Sequence, residues 1–537
     1  MTDVVSNPER QAELVHAFQR ALHDETQLRP EMAETHVSWI LLTKDKAYKI
    51  KKALKLDFLD FSRLSARRHY CEEEIRLNRR TAPGIYQQVV AIGGIPESPR
   101  LHAEPVLEYA VEMKRFPQEN EMGHLLRDNR LHVSHIDSLA ENVARFHQSL
   151  PPLPEAPSGT AYGAHEFVRQ GIENNYGELR ALFSSLNLMA ERDALDALAK
   201  RHLSLLDNCR QLIGTRRKNG FIRECHGDLH MGNIVVMDGN AIPFDGIEFA
   251  PDFRCVDVIC DLAFAFADLL HFGRPDYAWR LLSRYLEVTG DYQGVRLLHL
   301  FSASHALVRA KVIAMRCQQV ATEAEKQVYL ADSHSYLELA RDLLWDRRSG
   351  LLITCGLPGA GKSGFSLAAL GKIGAIRIRS DVERKRHYGL QALQSSAEAP
   401  ENIYSKDASA ITYGILEQHV GQLLEAGFLV IVDAAFLRAK ERQRFYQLAR
   451  EQGVPFLIAL ITAAPETLLR RVIARQARQD DPSEAGAAVL AMKQQQFEPL
   501  SPEELEYTVE IRNEDGDNLD SGVDWDSLKR KLMPLAG

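Results

Sequence analysis

The chain lacks the cysteine pattern of a disulfide-stapled or zinc-bound protein. Its 537 residues hold seven cysteines, at 71, 209, 225, 255, 260, 317 and 355, odd in number and without a Cys-x-x-Cys pair. That scatter argues against a disulfide framework or a zinc site and is expected of reduced, mostly buried thiols in a cytoplasm. Positive charge is not in excess either: 65 Lys and Arg face 73 Asp and Glu, a net charge of −8. Non-specific nucleic-acid binding by the whole chain is therefore not expected, although a local basic cleft remains open. Uninterrupted apolar runs are short. The longest, such as Phe456 to Ala464, fall well below the ~20 residues a membrane helix needs. The opening MTDVVSNPERQAE has no basic-then-apolar leader pattern. A cytoplasmic protein with no membrane partner is the expectation. Internal repeats and long low-complexity tracts are absent as well.

What is present is ordinary globular composition, 45% apolar and 26% charged, at a length too great for one hydrophobic core. Two to four compact units are expected. VSWILLTKDKAYKI, residues 37–50, reads as two strands around a Lys-Asp-Lys turn. Residues 63–80 read as a helix, and Pro105 to Phe116 as an extended run. Together these predict a small lobe of antiparallel sheet plus one helix, at about 30–116. A large lobe is expected over about 117–345, and from 135 to 345 the pattern is mainly helical, broken by short strands and loops over 223–255. Pro151-Pro152-Leu153-Pro154 through Pro157-Ser158-Gly159 reads as a surface loop. A polar break at Trp345-Asp346-Arg347-Arg348-Ser349-Gly350 marks the better domain boundary. Beyond it strands at 351–355, 375–380, 428–433, 455–462 and 506–512 alternate with helices, which predicts a parallel sheet covered on both faces.

Two phosphate-handling signatures sit on this framework. The first is His226-Gly227-Asp228-Leu229-His230-Met231-Gly232-Asn233, followed by Phe244-Asp245-Gly246. Phosphoryl transfer to a hydroxyl needs a carboxylate that orients the acceptor and takes its proton, and oxygen ligands that hold magnesium against the phosphates. Asp228 is placed for the first task, Asn233 and Asp245 for the second. The interval D-x-x-x-x-N is that of the protein-kinase catalytic loop. His226 reads as a brace for the loop, His230 receives no role, and Asp261 reads as a helix cap. A small-lobe lysine held by a helix carboxylate completes such a site. Lys49 and Lys51 share a strand face, and Glu72, Glu73 and Glu74 offer the partner. Lys49 with Glu74 is preferred, and the other pairings remain open. No Gly-x-Gly-x-x-Gly lies near residues 30–50.

The second signature is Gly356-Leu357-Pro358-Gly359-Ala360-Gly361-Lys362-Ser363, which fits G-x-x-x-x-G-K-[ST] after the apolar run 351–355. Gly356, Gly359 and Gly361 let backbone N–H groups curl around phosphates, Lys362 reaches the β- and γ-phosphates, and the Ser363 hydroxyl serves magnesium. Val430-Ile431-Val432-Asp433 reads as a Walker B strand whose carboxylate is a second magnesium ligand. The next residue is Ala434, not the Glu of a water-activating ATPase. Asp381 and Arg384 fall just after the second strand, and this half of the chain resembles small P-loop kinases, a resemblance that implies acceptor binding by these two residues. Ser380 and Glu383 alternatively spell a capping box, with Asp381 only a first-turn carboxylate. Arg471, Arg475 and Arg478 share one helix face ahead of Asp480-Asp481-Pro482. They resemble the arginine-bearing lid with which small P-loop kinases cover the nucleotide, or alternatively form a solvated basic stripe.

The string HGDLHxGN, with Asp245-Gly246-Ile247-Glu248 and Asp261-Leu262-Ala263, resembles the aminoglycoside phosphotransferase family over roughly residues 30–345. That resemblance implies a two-lobed kinase fold acting on a small-molecule hydroxyl, with Asp228 the base and Asn233 and Asp245 the magnesium ligands. The second half resembles small P-loop kinases such as polynucleotide kinases and zeta-type toxins. The whole is similar to bacterial fusions of the two. The expectation is an α+β protein-kinase-like domain, 1–345, followed by an α/β P-loop domain, 346–537. Such a chain is a bifunctional kinase using ATP and Mg²⁺. Its acceptors are small-molecule hydroxyls, with a nucleic-acid 5′ end open to the C-terminal domain. Fold resemblance fixes neither acceptor, and the oligomeric state stays open. A regulatory nucleotide-sensing protein is the alternative.

Overall fold

The computed structural model describes residues 8–26, 29–56, 59–154, 161–318, 320, 322–345, 347–399, 402–478, 481–514 and 522–533. It divides into two compact units. The first is 1–171 with 210–268, the second 172–209 with 269–537.

The first unit contains a six-stranded antiparallel sheet, in spatial order Glu31–Glu34, Ser38–Leu42, Lys46–Lys51, Val106–Lys114, Tyr86–Ile95, Ser98–Leu101. The helix Leu64–Asn78 lies against it, as the spacing predicts. A second helix, Pro8–Thr26, was not anticipated. It packs Val15, Phe18 and Leu22 onto Trp39, Leu41, Tyr48 and Ile50. This helix covers a sheet face that would otherwise expose an apolar stripe. The strands Glu31–Glu34, Tyr86–Ile95 and Ser98–Leu101 extend the sheet beyond the three strands legible in the sequence. After the helix Val133–Ser149 come the short antiparallel pairs Ile234–Met237 with Asn240–Pro243 and Ile222–Glu224 with Cys255–Asp257. These carry the motif of residues 226–245. The proline-rich stretch joins this framework through a bridge from Pro152 to Arg223; residues 155–160, with Pro157-Ser158-Gly159, lie outside the described residues.

The second unit contains a five-stranded, wholly parallel sheet, ordered Ala375–Arg379, Leu429–Asp433, Gly350–Cys355, Phe456–Thr462, Thr508–Arg512. Each strand falls within two residues of its predicted place. The three central strands are buried nearly throughout, which is why they read as continuous apolar runs. The helices 269–345 belong to this unit and not to the residues before them, so its edge lies well upstream of the break at 345–350. The physical reason is packing: Trp279, on the helix Pro275–Thr289, joins the core that includes Phe365, Leu370, Ile373 and Leu429.

All seven cysteines are unbridged. Among the described residues one helical segment, Gly294–Arg316, is long and apolar enough by composition to cross a membrane, a feature that a search for uninterrupted apolar runs passes over. Some 61% of its apolar window is buried inside the protein, where Leu300, Ala303, Ala306, Leu307 and Ala310 are core residues.

Candidate active sites

In the first unit the Lys46–Lys51 strand presents Lys49 and Lys51 to one buried face. Glu74, fully buried on the helix Leu64–Asn78, takes one lysine on each oxygen: Lys49 Nζ at 2.8 Å from Oε1 and Lys51 Nζ at 2.7 Å from Oε2. Glu72 and Glu73 instead pair on the surface with Arg68 and Arg76. The two lysines then part. Lys49 reaches Asp245 Oδ1 at 2.5 Å, whereas Lys51 pairs inward with Glu248. Burial acts to raise the Glu74 carboxyl, but the two ammonium groups overcome it and hold it down at about 2. Glu74→Ala removes the shared counter-charge of two buried cations. It is expected to destabilise the first unit by about 3–5 kcal/mol, read as a lowered urea midpoint of that unit's transition.

Asp245 holds a left-handed backbone, φ 59°, a conformation uncommon outside glycine and found where structure enforces it. Here its N–H donates to Tyr86 Oη at 3.0 Å and the next N–H, of Gly246, to Asn78 Oδ1 at 2.7 Å. The loop of Asp228 is fixed from below. Asp261 accepts the N–H groups of His226 and Gly227, at 3.2 and 2.7 Å, and its Oδ2 lies 3.0 Å from His147 Nε2. Asp261 is therefore no helix cap; its carboxylate is spent on the loop preceding Asp228. His226 Nδ1 accepts the Asp228 N–H at 3.3 Å, which leaves the proton on Nε2 to donate to Phe244 O at 2.9 Å. Burial lowers the pKa of this imidazole, in keeping with a neutral brace between the two halves of the motif. His230 Nδ1 accepts the Gly232 N–H.

Asn233 Nδ2 donates to Asp228 Oδ2 at 2.8 Å. That bond fixes the carboxylate and leaves Asn233 Oδ1, like the oxygens of Asp245, suited to a hard cation. A cleft of about 530 Å³ opens beside these groups, lined by Ala47, Lys49, Met113, Phe116, Phe244 and Asp245. Glu121 also lines it, with a carboxyl that burial pushes up to about 7. Sequence reasoning missed Glu121, Tyr86 and His147. Each acts across the fold and stands in no local motif.

In the second unit the loop 356–361 joins the strand Gly350–Cys355 to the helix Lys362–Ile373. Gly361 has φ 96°, and a Cβ there would lie 1.9 Å from Asn513 Nδ2, so no larger residue fits. Lys362 Nζ donates to Leu357 O at 2.9 Å. Burial lowers its pKa, against the opposing pull of Asp433 and Asp381. Ser363 opens the helix beside it. Asp433, at the end of its strand, is buried against Arg377 Nη2 at 2.5 Å and accepts from Ser366 Oγ at 3.1 Å. Burial would raise this carboxyl, but Arg377 and Arg379 hold it at about 2.

Asp381 lies in the first turn of the helix Ser380–His387, half-buried, and among the described residues no hydrogen bond or ion pair of its side chain is found. The alternative of a capping box does not form: the cap is Arg379, without a side-chain bond. Glu383 is drawn away, accepting from Tyr292 Oη at 3.0 Å and pairing with Arg386. Arg384 is buried with its guanidinium 5.2 Å from the centre of the Tyr404 ring. Its Nη1 donates to Ile403 O, and its Nε has no partner among the described residues.

Two arginines of the stripe, Arg471 and Arg475, make backbone contacts that a wholly solvated stripe would lack. Arg471 donates to Asn513 O at 2.8 Å and Glu514 O at 2.9 Å, with Gly359 O at 3.4 Å, and so clamps the phosphate loop from behind. Arg475 donates to Ala485 O at 3.0 Å, and Arg478 is exposed. Asp480 lies outside the described residues; Asp481 pairs with Arg379 at 3.2 Å.

A family model described as an AAA domain matches residues 351–500. An uncharacterized protein of Mycobacterium tuberculosis is 27% identical over 465 residues, 86% of this chain and 90% of its own length. Among solved structures, choline kinase from Cryptosporidium parvum is 12% identical, with a TM-score of 0.36 over 59% of this chain and 89% of its own. A gluconokinase from Sinorhizobium meliloti is 16% identical, with a TM-score of 0.23 over 35% of this chain and 91% of its own. Residues 351–500, matched by the AAA-domain model, hold most of the parallel sheet, and the six-stranded antiparallel sheet lies before them.

Proposed function

We propose that the chain is a bifunctional phosphotransferase, each kinase-like region moving the γ-phosphate of ATP to an acceptor hydroxyl. The observation that supports the reading is that each region holds a lysine, Lys49 buried and fixed by Glu74 and Lys362 within the electrostatic reach of Asp381, together with a carboxylate not spent on a structural ion pair with it. Asp228 is braced by Asn233 in the first, and Asp381 stands without a partner among the described residues in the second. In the first site Lys49, fixed by Glu74, neutralises phosphate oxygens, while Asp228 orients the acceptor hydroxyl and takes its proton as the new P–O bond forms and the bond to the leaving ADP breaks. In the second, Lys362 and the loop N–H groups hold the phosphates and Asp381 receives the acceptor. Asn233 with Asp245, and Ser363 with Asp433, are oxygen donors that fit Mg²⁺, which when bound offsets the charge between β- and γ-phosphates. The acceptors we assign are small hydroxyl compounds in the cytoplasm, with a nucleic-acid 5′ end the second choice for Asp381 and Arg384.

Calorimetric titration with Mg²⁺ and a non-hydrolysable ATP analogue is expected to count two sites in wild type and one in Lys362→Ala. A single site unaffected by Lys362→Ala would overturn the reading. Incubation with γ-labelled ATP and a metabolite extract then identifies the acceptors by the labelled products.

A further inference from the structure

Arg377 and Arg379 point to one face of the strand Ala375–Arg379, and both are nearly inaccessible, at 4% and 8% exposure. Buried guanidinium groups require counter-charges, and here three carboxylates share two cations. Asp433 lies 2.5 Å from Arg377 Nη2 and 3.8 Å from Arg379 Nε. Asp481 lies 3.2 Å from Arg379 Nη2. The third is Glu287, in the last turn of the helix Pro275–Thr289, 3.3 Å from Arg377 Nη1 and 3.8 Å from Arg379 Nη1. Arg284 Nη1 anchors Glu287 Oε2 at 2.8 Å. All of these residues belong to the second compact unit.

We propose that Glu287 is the reserve counter-charge that lets Asp433 turn from the arginines to a nucleotide-bound cation, and that the turn 284–292 carries this exchange to the helix bearing Asp381. The inference rests on reading Gly356 to Ser363 as a nucleotide site. A carboxylate bonded to Arg377 at 2.5 Å cannot serve a cation without giving up that contact, which leaves Glu287, 3.3 Å from Nη1, as the carboxylate on this buried guanidinium. Glu287, already within ion-pair distance of both arginines, takes them over with a short movement. The same turn grips the acceptor helix. Arg386 Nη2 donates to the carbonyls of Leu286 and Glu287 at 3.1 and 2.6 Å, and Tyr292 Oη donates to Glu383. A shift of Glu287 toward the arginines therefore pulls on Ser380–His387, so nucleotide loading and acceptor placement share one coupling free energy. By linkage that coupling is reciprocal.

The test uses the full chain and hydrogen exchange of two segments, 356–366 for occupancy of the phosphate loop and 284–292 for the turn, with a non-hydrolysable ATP analogue as probe. In wild type, Mg²⁺ is expected to tighten analogue binding at 356–366 and to change protection at 284–292; in Lys362→Ala neither change occurs. Glu287→Gln should cut the Mg²⁺-dependent tightening about tenfold, within the usual range of site-to-site coupling. It should leave Mg²⁺-free binding unchanged or stronger, since a negative charge has been removed near a polyanion. Glu287→Asp should restore the Mg²⁺ dependence. A merely structural Glu287 would weaken binding with and without Mg²⁺ alike, and that result overturns the proposal. So does an unchanged Mg²⁺ effect in Glu287→Gln. Where that variant does not fold, the wild-type arm decides: a turn at 284–292 indifferent to the Mg²⁺ analogue while 356–366 is protected sinks the relay alone. No protection at 356–366 under any condition removes the nucleotide-site reading and the relay with it.

Discussion

Asp228→Asn is expected to lower phosphoryl transfer by the first site by roughly 10²–10⁴-fold, the usual contribution of a positioned proton acceptor, while ATP affinity stays near wild type. The substitution is nearly isosteric, and the amide oxygen can still accept from Asn233 Nδ2, which now donates to Asp228 Oδ2. The loop beneath keeps its supports, because Asp261 binds backbone N–H groups of His226 and Gly227 and not the side chain at 228. The nucleotide-side groups, Lys49, Glu74 and Asp245, form their own buried set. What is lost is the carboxylate that takes the acceptor proton. The measurement belongs in the full-length chain on a Lys362→Ala background, which silences the second site. A truncation at 345 is unsuitable, because the helices 269–345 form part of the second compact unit. Equal transfer rates with Asp and Asn at 228 would remove Asp228 from the base role.

The parts of this arrangement that the sequence displays are those written in local patterns. Parallel strands buried on both faces must be continuous apolar runs, so the three central strands of the P-loop sheet were legible in place. Glycines forced by a loop that wraps phosphate announce themselves in the same way. Where two residues of one type share a strand face, the sequence cannot separate them. Lys49 and Lys51 meet the same glutamate and differ only through Asp245 and Glu248, some 196 and 197 residues away. Asp261 looked like a cap because a carboxylate in a helix's first turn usually serves its own helix; its partners lie 34 and 35 residues upstream. The capping box at Ser380 failed for the converse reason, since Glu383 finds Tyr292 and Arg386 in the folded chain. Arg471 shows the same limit: the helical spacing placed it on the face with Arg475, but its length lets it reach backbone carbonyls behind the phosphate loop.

Asp381→Ala is expected to reduce transfer by the second site by roughly 10²–10⁴-fold without a matching loss of ATP affinity. The hypothesis is that this site hands phosphate to a bound hydroxyl and not to water. Three observations motivate it. Asp381 follows the carboxyl end of the strand Ala375–Arg379, the side on which open parallel sheets bind ligands. Its side chain shows no hydrogen bond or ion pair among the described residues, although its charge is felt by Lys362. Asp433, the other carboxylate near the loop, is followed by Ala434 and is itself held by Arg377, so it offers no base for water. Removing the Asp381 carboxylate leaves the phosphate loop untouched, because Gly361 is locked against Asn513 and Arg471 clamps the loop from behind. Affinity for ATP is thus set elsewhere, and the loss should fall on turnover with the acceptor. The readout is labelled-phosphate transfer to the identified acceptor, alongside ATP hydrolysis in its absence, in full-length protein carrying Asp228→Asn to quiet the first site. Rapid acceptor-independent hydrolysis that is indifferent to Asp381→Ala would identify the second site as an ATPase instead.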